Sequence, residues 1–300
     1  MKEWYTYKAY NLLFSSELKF PELAEASGEP DVLVTLGTVP KTLAHPIGIG
    51  AHFQATPQEF LLRLDKVAGF LVTGGNRIIV ELWCEVNDPD VRLFLLGTVF
   101  GALLHQRGAL ILHGFSTAIH EQGVLFTGPP EIGKSDLAKA FCRKGYPILT
   151  EEVSMIHIGD GGTPCIAQGF PNLRIGQDIE STPGFNVQTI SHIIKNQEKK
   201  RICAEAQFKN PEVRLDRVYV LGTHESQTIE IRPIRNLNKL GTLMNNTYRY
   251  RLLKGQGIRP QHFKQCVLVA NQVSFFNILR PMGTFSTDRL IAAVEEQISI

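Results

Sequence analysis

Apolar positions in the first third of the chain recur in short runs closed by glycine or proline, the pattern of strands rather than helices. Asp31-Val-Leu-Val-Thr-Leu36 stops at Gly37 and Pro40. The runs Phe70–Thr73 and Arg77–Glu81 flank Gly74-Gly75-Asn76, whose residues tolerate positive φ and so predict a hairpin. A small antiparallel sheet is expected here. Asp88-Pro89 has the form of an N-cap followed by proline at the first helical position, and the apolar run Val91 to Leu104 ends near Gly108. That run predicts a buried helix joining two halves of the chain.

From Ala109 the pattern changes. Ala109–His113 and Ser116–Ile119 read as strands, His120-Glu-Gln-Gly123 as a turn and Val124–Phe126 as a strand. A Gly-rich loop follows, then a helix from about Lys134 to Lys144 closed by Gly145, then a strand Tyr146–Thr150. This is a βαβ-type unit. Further strands are expected over Arg214–Leu221 and Thr228–Ile234, with a C-terminal amphipathic helix from about Thr287 to Ile298. Lys195 to Arg201 is the most loop-like stretch, and neither repeats nor low-complexity segments are found. The expected organisation is residues 1–87, a mixed β region; 88–108, the linking helix; and 109–300, a second domain.

Composition narrows the classes. With 300 residues, 43% hydrophobic, the chain can bury a sizeable core, and disorder is excluded as its main state. Lys+Arg 31 against Asp+Glu 29 leaves a formal net charge of +2, no broad footprint for nucleic acid or anionic lipid. The Val91–Leu104 run is shorter than the ~20 residues of a membrane span and contains Arg92, so no membrane partner is expected. Cys84, Cys142, Cys165, Cys203 and Cys266 are scattered and never form C-x-x-C, which suggests neither a zinc site nor a disulfide framework. Reduced thiols, a cytoplasmic location and no export signal are the expectation.

The chemistry concentrates in Gly128-Pro-Pro-Glu-Ile-Gly133-Lys134-Ser135, which satisfies G-x-x-x-x-G-K-[ST] between a strand and a helix. Such a P-loop wraps phosphates with backbone N–H groups at a helix N-terminus; Lys134 neutralises the terminal phosphates and Ser135 holds Mg²⁺. Pro129 and Pro130 lack N–H donors, but the amides of Glu131, Ile132, Gly133, Lys134 and Ser135 remain, with Asp136 in the first helical turn. Glu131 stands where a glycine would tolerate any φ and brings a carboxylate towards the phosphates. Glu151-Glu152 closes the next strand, where one acid can hold the metal and the other act as base. His113 closes Leu110-Ile-Leu-His113 and can point into the same crevice. Lys199-Lys200-Arg201 and Asn246-Thr-Tyr248-Arg249-Tyr-Arg251, more helical in spacing, are further candidate contacts to nucleotide or substrate.

Leu112-His113-Gly114, Gly123-Val-Leu-Phe-Thr-Gly128 leading into the loop, Arg143-Lys-Gly145-Tyr-Pro-Ile-Leu149, the acidic pair and Gly169-Phe-Pro171-Asn-Leu-Arg174 together resemble the HPr kinase/phosphorylase family. The likeness is strongest to its shorter serine-kinase relatives from bacterial peptide-tailoring clusters, including those of lasso peptides. It covers about residues 109 to 175, with weaker likeness at Glu17–Leu23, at Asp31-Val32 and at Arg280-Pro281. The resemblance implies an α/β fold, a P-loop HPr-kinase-like domain with a smaller N-terminal mixed α+β region. It also implies ATP-dependent phosphorylation of a serine on a peptide or small protein, with ATP and Mg²⁺ as cofactors. Gly128, Glu131, Ile132, Gly133, Lys134, Ser135 and Asp136 would form the cofactor-binding set. His113 falls where the family keeps a histidine, Glu151 and Glu152 occupy its Asp-Asp positions, and Ser135 with Glu152 would hold the metal. The resemblance also implies that the chain can assemble into a homo-oligomer. Glu131 and the Glu-Glu pair depart from the family pattern, which leaves a second expectation: a nucleotide-binding pseudokinase that scaffolds or regulates a biosynthetic partner.

Overall fold

The computed structural model describes residues 3–21, 23, 25–86, 88–170, 212–257, 259–282 and 286–299. Lys199-Lys200-Arg201, the loop-like stretch around it and residues 171–174 of the family-like run lie outside the described residues. The fold is mixed α/β with two large sheets. Its contacts divide the chain into two compact units, Met1–Ile111 with Thr247–Gln265, and Leu112–Asn246 with Cys266–Ile300. The sequence pattern places one division near Ala109; the contacts place it at Ile111/Leu112 and return Thr247–Gln265 to the first unit.

The first unit is built on β1 (Tyr5–Ala9), β2 (Leu12–Ser16), β3 (Val32–Leu36), β4 (Gly48–Ile49), β5 (Phe53–Ala55), β6 (Glu59–Leu64), β7 (Ala68–Thr73) and β8 (Arg77–Leu82). They form one sheet in the order β1-β2-β3-β8-β7-β6-β5-β4. The expected hairpin is present: Thr73 pairs with Arg77, and Gly74 and Gly75 take φ of 58° and 67°. The sheet is larger than expected and mixed, because β2–β3 and β3–β8 pair in parallel. Parallel partners meet only through long connections, which local patterning does not reveal.

The expected linking helix is α1 (Pro89–Phe94), a π turn over Leu95–Val99 and α2 (Phe100–Gln106). Asp88 accepts a hydrogen bond from the Asp90 amide at 2.8 Å, Pro89 opens the helix, and Gly108 ends it at φ 74°. The apolar run is buried, with Phe100 edge-on to Phe14 at 5.0 Å in a cluster that includes Tyr7 and Phe20. Among the described residues no helix is long and apolar enough to cross a membrane.

His105 on α2 is fully buried, its Nε2 placed 2.8 Å from the Tyr248 carbonyl. The Nδ1 has no hydrogen-bond partner among the described residues, so a second ring proton would be buried without an acceptor. Burial, with His262 nearby, holds its pKa down to about 4, against the opposing pull of the Tyr248 carbonyl. In the unfolded chain the ring takes up a proton near its ordinary value, so the unfolded state binds more protons between about pH 6.5 and 4. The contribution of neutral His105 is therefore complete above about pH 6.5 and lost as the pH falls towards 4. Thermal midpoints should drop across that window, and a His105→Gln variant should have a flatter acid limb; an unchanged limb would refute the assignment.

The second unit carries β9 (Leu110–Ile119), β10 (Gln122–Thr127), α3 (Lys134–Arg143), β11 (Ile148–Thr150), β12 (Val153–Ile158), β13 (Pro164–Ala167), β14 (Glu212–His224), β15 (Glu230–Ile234), α4 (Leu237–Asn245), β16 (Ser274–Pro281) and α7 (Thr287–Ser299). The helices α5 (Arg251–Gln256) and α6 (Arg259–Gln272) come between α4 and β16 in the chain. The two strands expected over 109–119 are one continuous β9, which turns through His120 and Glu121, both at positive φ, into β10. Strand order is β10-β9-β12-β13-β14-β16-β15, with β11 on β9. Since β9 is antiparallel to both β10 and β11, those two run in the same direction with β9 between them. The βαβ unit is thus split by an intervening strand. β14 lies parallel to β10 and to β16, so the carboxyl ends of β10, β14 and β16 share one edge.

Beneath that edge the core joins Phe115, Phe126, Phe141 and Tyr219 to Leu290, Ile291 and Val294 of α7. Tyr219 stacks on Phe126 and Phe276, and burial pushes its hydroxyl pKa up to about 12. Cys84, Cys165 and Cys266 are free thiols, but Cys142 is disulfide-bonded, which corrects the expectation of five reduced cysteines.

Candidate functional site

The loop after β10 begins at Thr127, whose antiparallel partner across the sheet is Gly114. Gly128 takes φ 145° and lies so close to β14 that a Cβ on it would sit 2.8 Å from the Leu221 carbonyl oxygen. Gly133 takes φ 94°, caps α3 and meets nothing within 4 Å at its Cβ position. The two glycines of the motif therefore serve different needs, close approach at one and backbone freedom at the other. Gly128→Ala should cost more than the roughly 1–2 kcal/mol that a left-handed non-glycine residue costs by itself, and Gly133→Ala about that amount. Urea unfolding of the two variants checks the order, and equal losses would show that the approach to Leu221 is unimportant.

Between them Glu131 takes φ 61°, a left-handed conformation that glycine adopts more readily, and its side chain is exposed. Ile132 packs partly buried against the core under the sheet edge, and its carbonyl accepts a 3.3 Å hydrogen bond from Arg280 Nη2 at the end of β16. Lys134 is buried, and its ammonium donates to the carbonyls of Gly128 at 2.9 Å and Pro129 at 2.8 Å. The lysine thus sits folded across its own loop. Among the described residues the Gly133 N-cap of α3 makes no side-chain cap hydrogen bond, which leaves a helix N-terminus of the kind that receives anions. Ser135 is half-buried in that turn, and Asp136 faces outward to Lys139 at 3.3 Å. Asp136 can therefore lend the site its amide, while its carboxylate is turned away.

Backbone bonds bring the remaining residues to the same edge. The His113 amide donates to the Asn246 carbonyl at 2.8 Å, and the Gly114 amide donates to the Glu152 carbonyl at 3.0 Å. Thr127 Oγ1 lies 2.7 Å from the His113 carbonyl and 2.8 Å from Asn246 Oδ1. His113, Glu152, Asn246 and the start of the loop are tied together in this way, with Glu151 adjacent in the turn after β11. Beneath them runs a buried hydroxyl chain. Ser116 meets Thr150 at 2.6 Å, Thr150 meets Ser154, and Ser154 donates to the Gly114 carbonyl at 3.0 Å. No local signal marks these three hydroxyls as a set, because they come from three strands.

The cluster Asn246–Arg251 does not act as one unit. Asn246 ends α4 and joins the site, whereas Tyr248 is a core residue in the first unit, with Arg249 stacked over its ring at 5.5 Å. Residues 246–250 form turns and a bridge, and the expected helical spacing starts only at Arg251. Arg280, marked in the sequence only by its likeness to a family terminus, is a second cation touching the loop. Chemically, the edge offers first-turn amides, two cations, a hydroxyl and a carboxylate pair, a set suited to a phosphate chain with a hard cation.

No family model matches the chain. Among curated proteins, the HPr kinase/phosphorylases of Clostridium botulinum strain Eklund 17B (type B) and strain Alaska E43 (type E3) are each 27% identical over 153 residues, 47% of this chain and 49% of theirs. The chain therefore spans about half the length of the curated relatives it matches. Among solved structures, the Hpr(Ser) kinase/phosphatase from Coxiella burnetii aligns at a TM-score of 0.32 and 14% identity, covering 63% of this chain and 93% of that one. The curated relatives support the HPr-kinase-like family that the sequence resembles.

Proposed function

From this likeness to HPr kinase/phosphorylases, we propose that the chain is a P-loop serine kinase that transfers the γ-phosphoryl group of ATP to a serine hydroxyl of a peptide or small protein. The observation that carries the reading is the Gly128–Ser135 loop at the carboxyl end of β10, with Lys134 buried on it and Glu152 tied to the neighbouring strand. Residues at the edge fit the implied cofactors. The first-turn amides of α3 and the Lys134 ammonium suit a triphosphate, and the Ser135 hydroxyl with the Glu152 carboxylate is an all-oxygen donor set suited to Mg²⁺. Bound there, Mg²⁺ would neutralise charge on the β- and γ-phosphates.

In this reading Lys134 leaves the Gly128 and Pro129 carbonyls to meet the terminal phosphates. Glu151 accepts the proton of the serine hydroxyl as its oxygen forms the new bond to phosphorus and the bond to the β-phosphate oxygen breaks. In this reading His113 and Arg280 stabilise charge on the phosphoryl group in transit. ATP as the donor argues for a cytoplasmic site of action, a reading drawn from the nucleotide rather than from the thiols. Peptide natural-product tailoring is the proposed setting. Labelled γ-phosphate from ATP should appear as phosphoserine on a genome-neighbour peptide or on the phosphocarrier HPr. Absence of transfer to both, and to a serine peptide library, would overturn the kinase reading.

Glu131 at positive φ and the Glu-Glu pair favour a second reading, a nucleotide-binding pseudokinase that scaffolds a biosynthetic partner. ATP binding by calorimetry with no phosphoserine would select it.

A further inference from the structure

Away from the loop edge, strands β12, β13 and β14 lie side by side and antiparallel. His157 on β12 is directly opposite Cys165 on β13. Cys165 is opposite Arg214, so Glu212, two residues earlier on β14, shares their face as a diagonal neighbour. The alternate residues Ile156, Ile166 and Val213 are buried on the opposite face, so the alternation of the strands gathers the three polar groups. An imidazole nitrogen, the thiol sulfur and a carboxylate oxygen lie within 4.8 Å of one another, and the His157 Nε2 already meets Glu212 Oε2 directly.

We propose that His157, Cys165 and Glu212 form a binding site for one divalent transition-metal ion of the zinc type. One nitrogen, one sulfur and one carboxylate oxygen is a donor set that zinc accepts, whereas Mg²⁺ and Ca²⁺ take oxygen ligands. Zinc ligands sit about 2.0–2.3 Å from the ion, so atoms around a tetrahedral ion are roughly 3.3–3.8 Å apart. A shift of about 1 Å brings this cluster to that spacing, which side-chain torsions supply, with His157 and Glu212 parting to admit the ion. Binding forms the Zn–S bond as the Cys165 thiol proton passes to solvent. Arg214 is occupied by Asp216 at 3.2 Å, leaving the carboxylate of Glu212 facing the imidazole rather than that guanidinium. His157 and Cys165 are half-buried and Glu212 is exposed, so an ion enters from solvent, and water completes the fourth position. The ion would clip three strands together where β14 begins.

Co²⁺ reports such a site by its spectrum. The full chain, stripped with a chelator and kept without thiol reductant so that the Cys142 bond is retained, is titrated with Co²⁺ and then Zn²⁺. One equivalent of Co²⁺ should give a thiolate-to-metal charge-transfer band and tetrahedral d–d bands, both removed by Zn²⁺. Cys165→Ser should lose the charge-transfer band, whereas Cys84→Ser should keep it. Glu212→Gln, at an exposed position and with unchanged circular dichroism, should bind Zn²⁺ more than about 100-fold more weakly, beyond the loss typical of an outer partner. Persistence of the band in Cys165→Ser, or unaltered Zn²⁺ affinity in Glu212→Gln, overturns the site.

Discussion

Lys134→Ala should lower phosphoryl transfer from ATP by on the order of 10³-fold while leaving the fold largely intact. That size is expected because a preorganised cation aimed at charge that develops in transfer contributes about as much as the strongest single donors in other sites. The fold should tolerate the change because the ammonium donates to the Gly128 and Pro129 carbonyls. Both belong to the turn of the loop, where water can replace the lysine. The folded-back lysine also implies a small cost of binding, since two hydrogen bonds must be exchanged for phosphate oxygens. Lys134→Arg should not rescue transfer, because a planar fork does not reproduce the compact ammonium in a buried position. Filter-binding assays of labelled product, with urea unfolding alongside, separate the chemical loss from instability. Transfer within about threefold of the parent in Lys134→Ala would refute the assigned role.

Much of this edge was legible in the sequence because its parts are local. A glycine-rich loop, a lysine and a helix start within eight positions declare themselves by spacing, as do the Gly74-Gly75-Asn76 hairpin and the Asp88-Pro89 helix start. What holds the parts in place was not legible. Asn246 reaches Thr127 across 119 residues and Arg280 reaches Ile132 across 148, and each contact is set by strand register and chain crossings. The same holds for His157 and Glu212, 55 residues apart, whose meeting no spacing of cysteines signals. In the first sheet, β2 and β3 meet in parallel because of tertiary closure, and the small antiparallel sheet expected from local hairpins was an incomplete part of it. Helix α6 leaves no periodic signal, because its apolar residues do not gather on one face of the sequence Arg259–Gln272. The left-handed Glu131 is the converse case. Its conflict with φ was visible from the motif alone, and the loop adopts that φ without a glycine.

Glu152→Gln should reduce transfer by about 10²-fold or more while ATP binding measured without Mg²⁺ is retained, because the amide removes the anionic oxygen that the proposed metal position needs. Glu152→Asp distinguishes the two functional readings. The Glu152 carbonyl is held by the Gly114 amide, and Gly114 is fixed in turn by the chain of Ser116, Thr150 and Ser154 hydroxyls. With the Glu152 carbonyl held in this way, side-chain length bears directly on where the carboxylate falls. Shortening by one methylene withdraws it by about one bond length, and a misplacement of ~1 Å costs on the order of a hundredfold in rate. For an active kinase whose site is matched to glutamate, Glu152→Asp should therefore be slower than the parent by up to about that factor. For a pseudokinase silenced by over-long acids, Glu151→Asp with Glu152→Asp should instead create transfer where the parent has none. Single-turnover assays with labelled ATP and the same seryl acceptor measure both, and gain of activity in the double aspartate variant would refute the kinase reading.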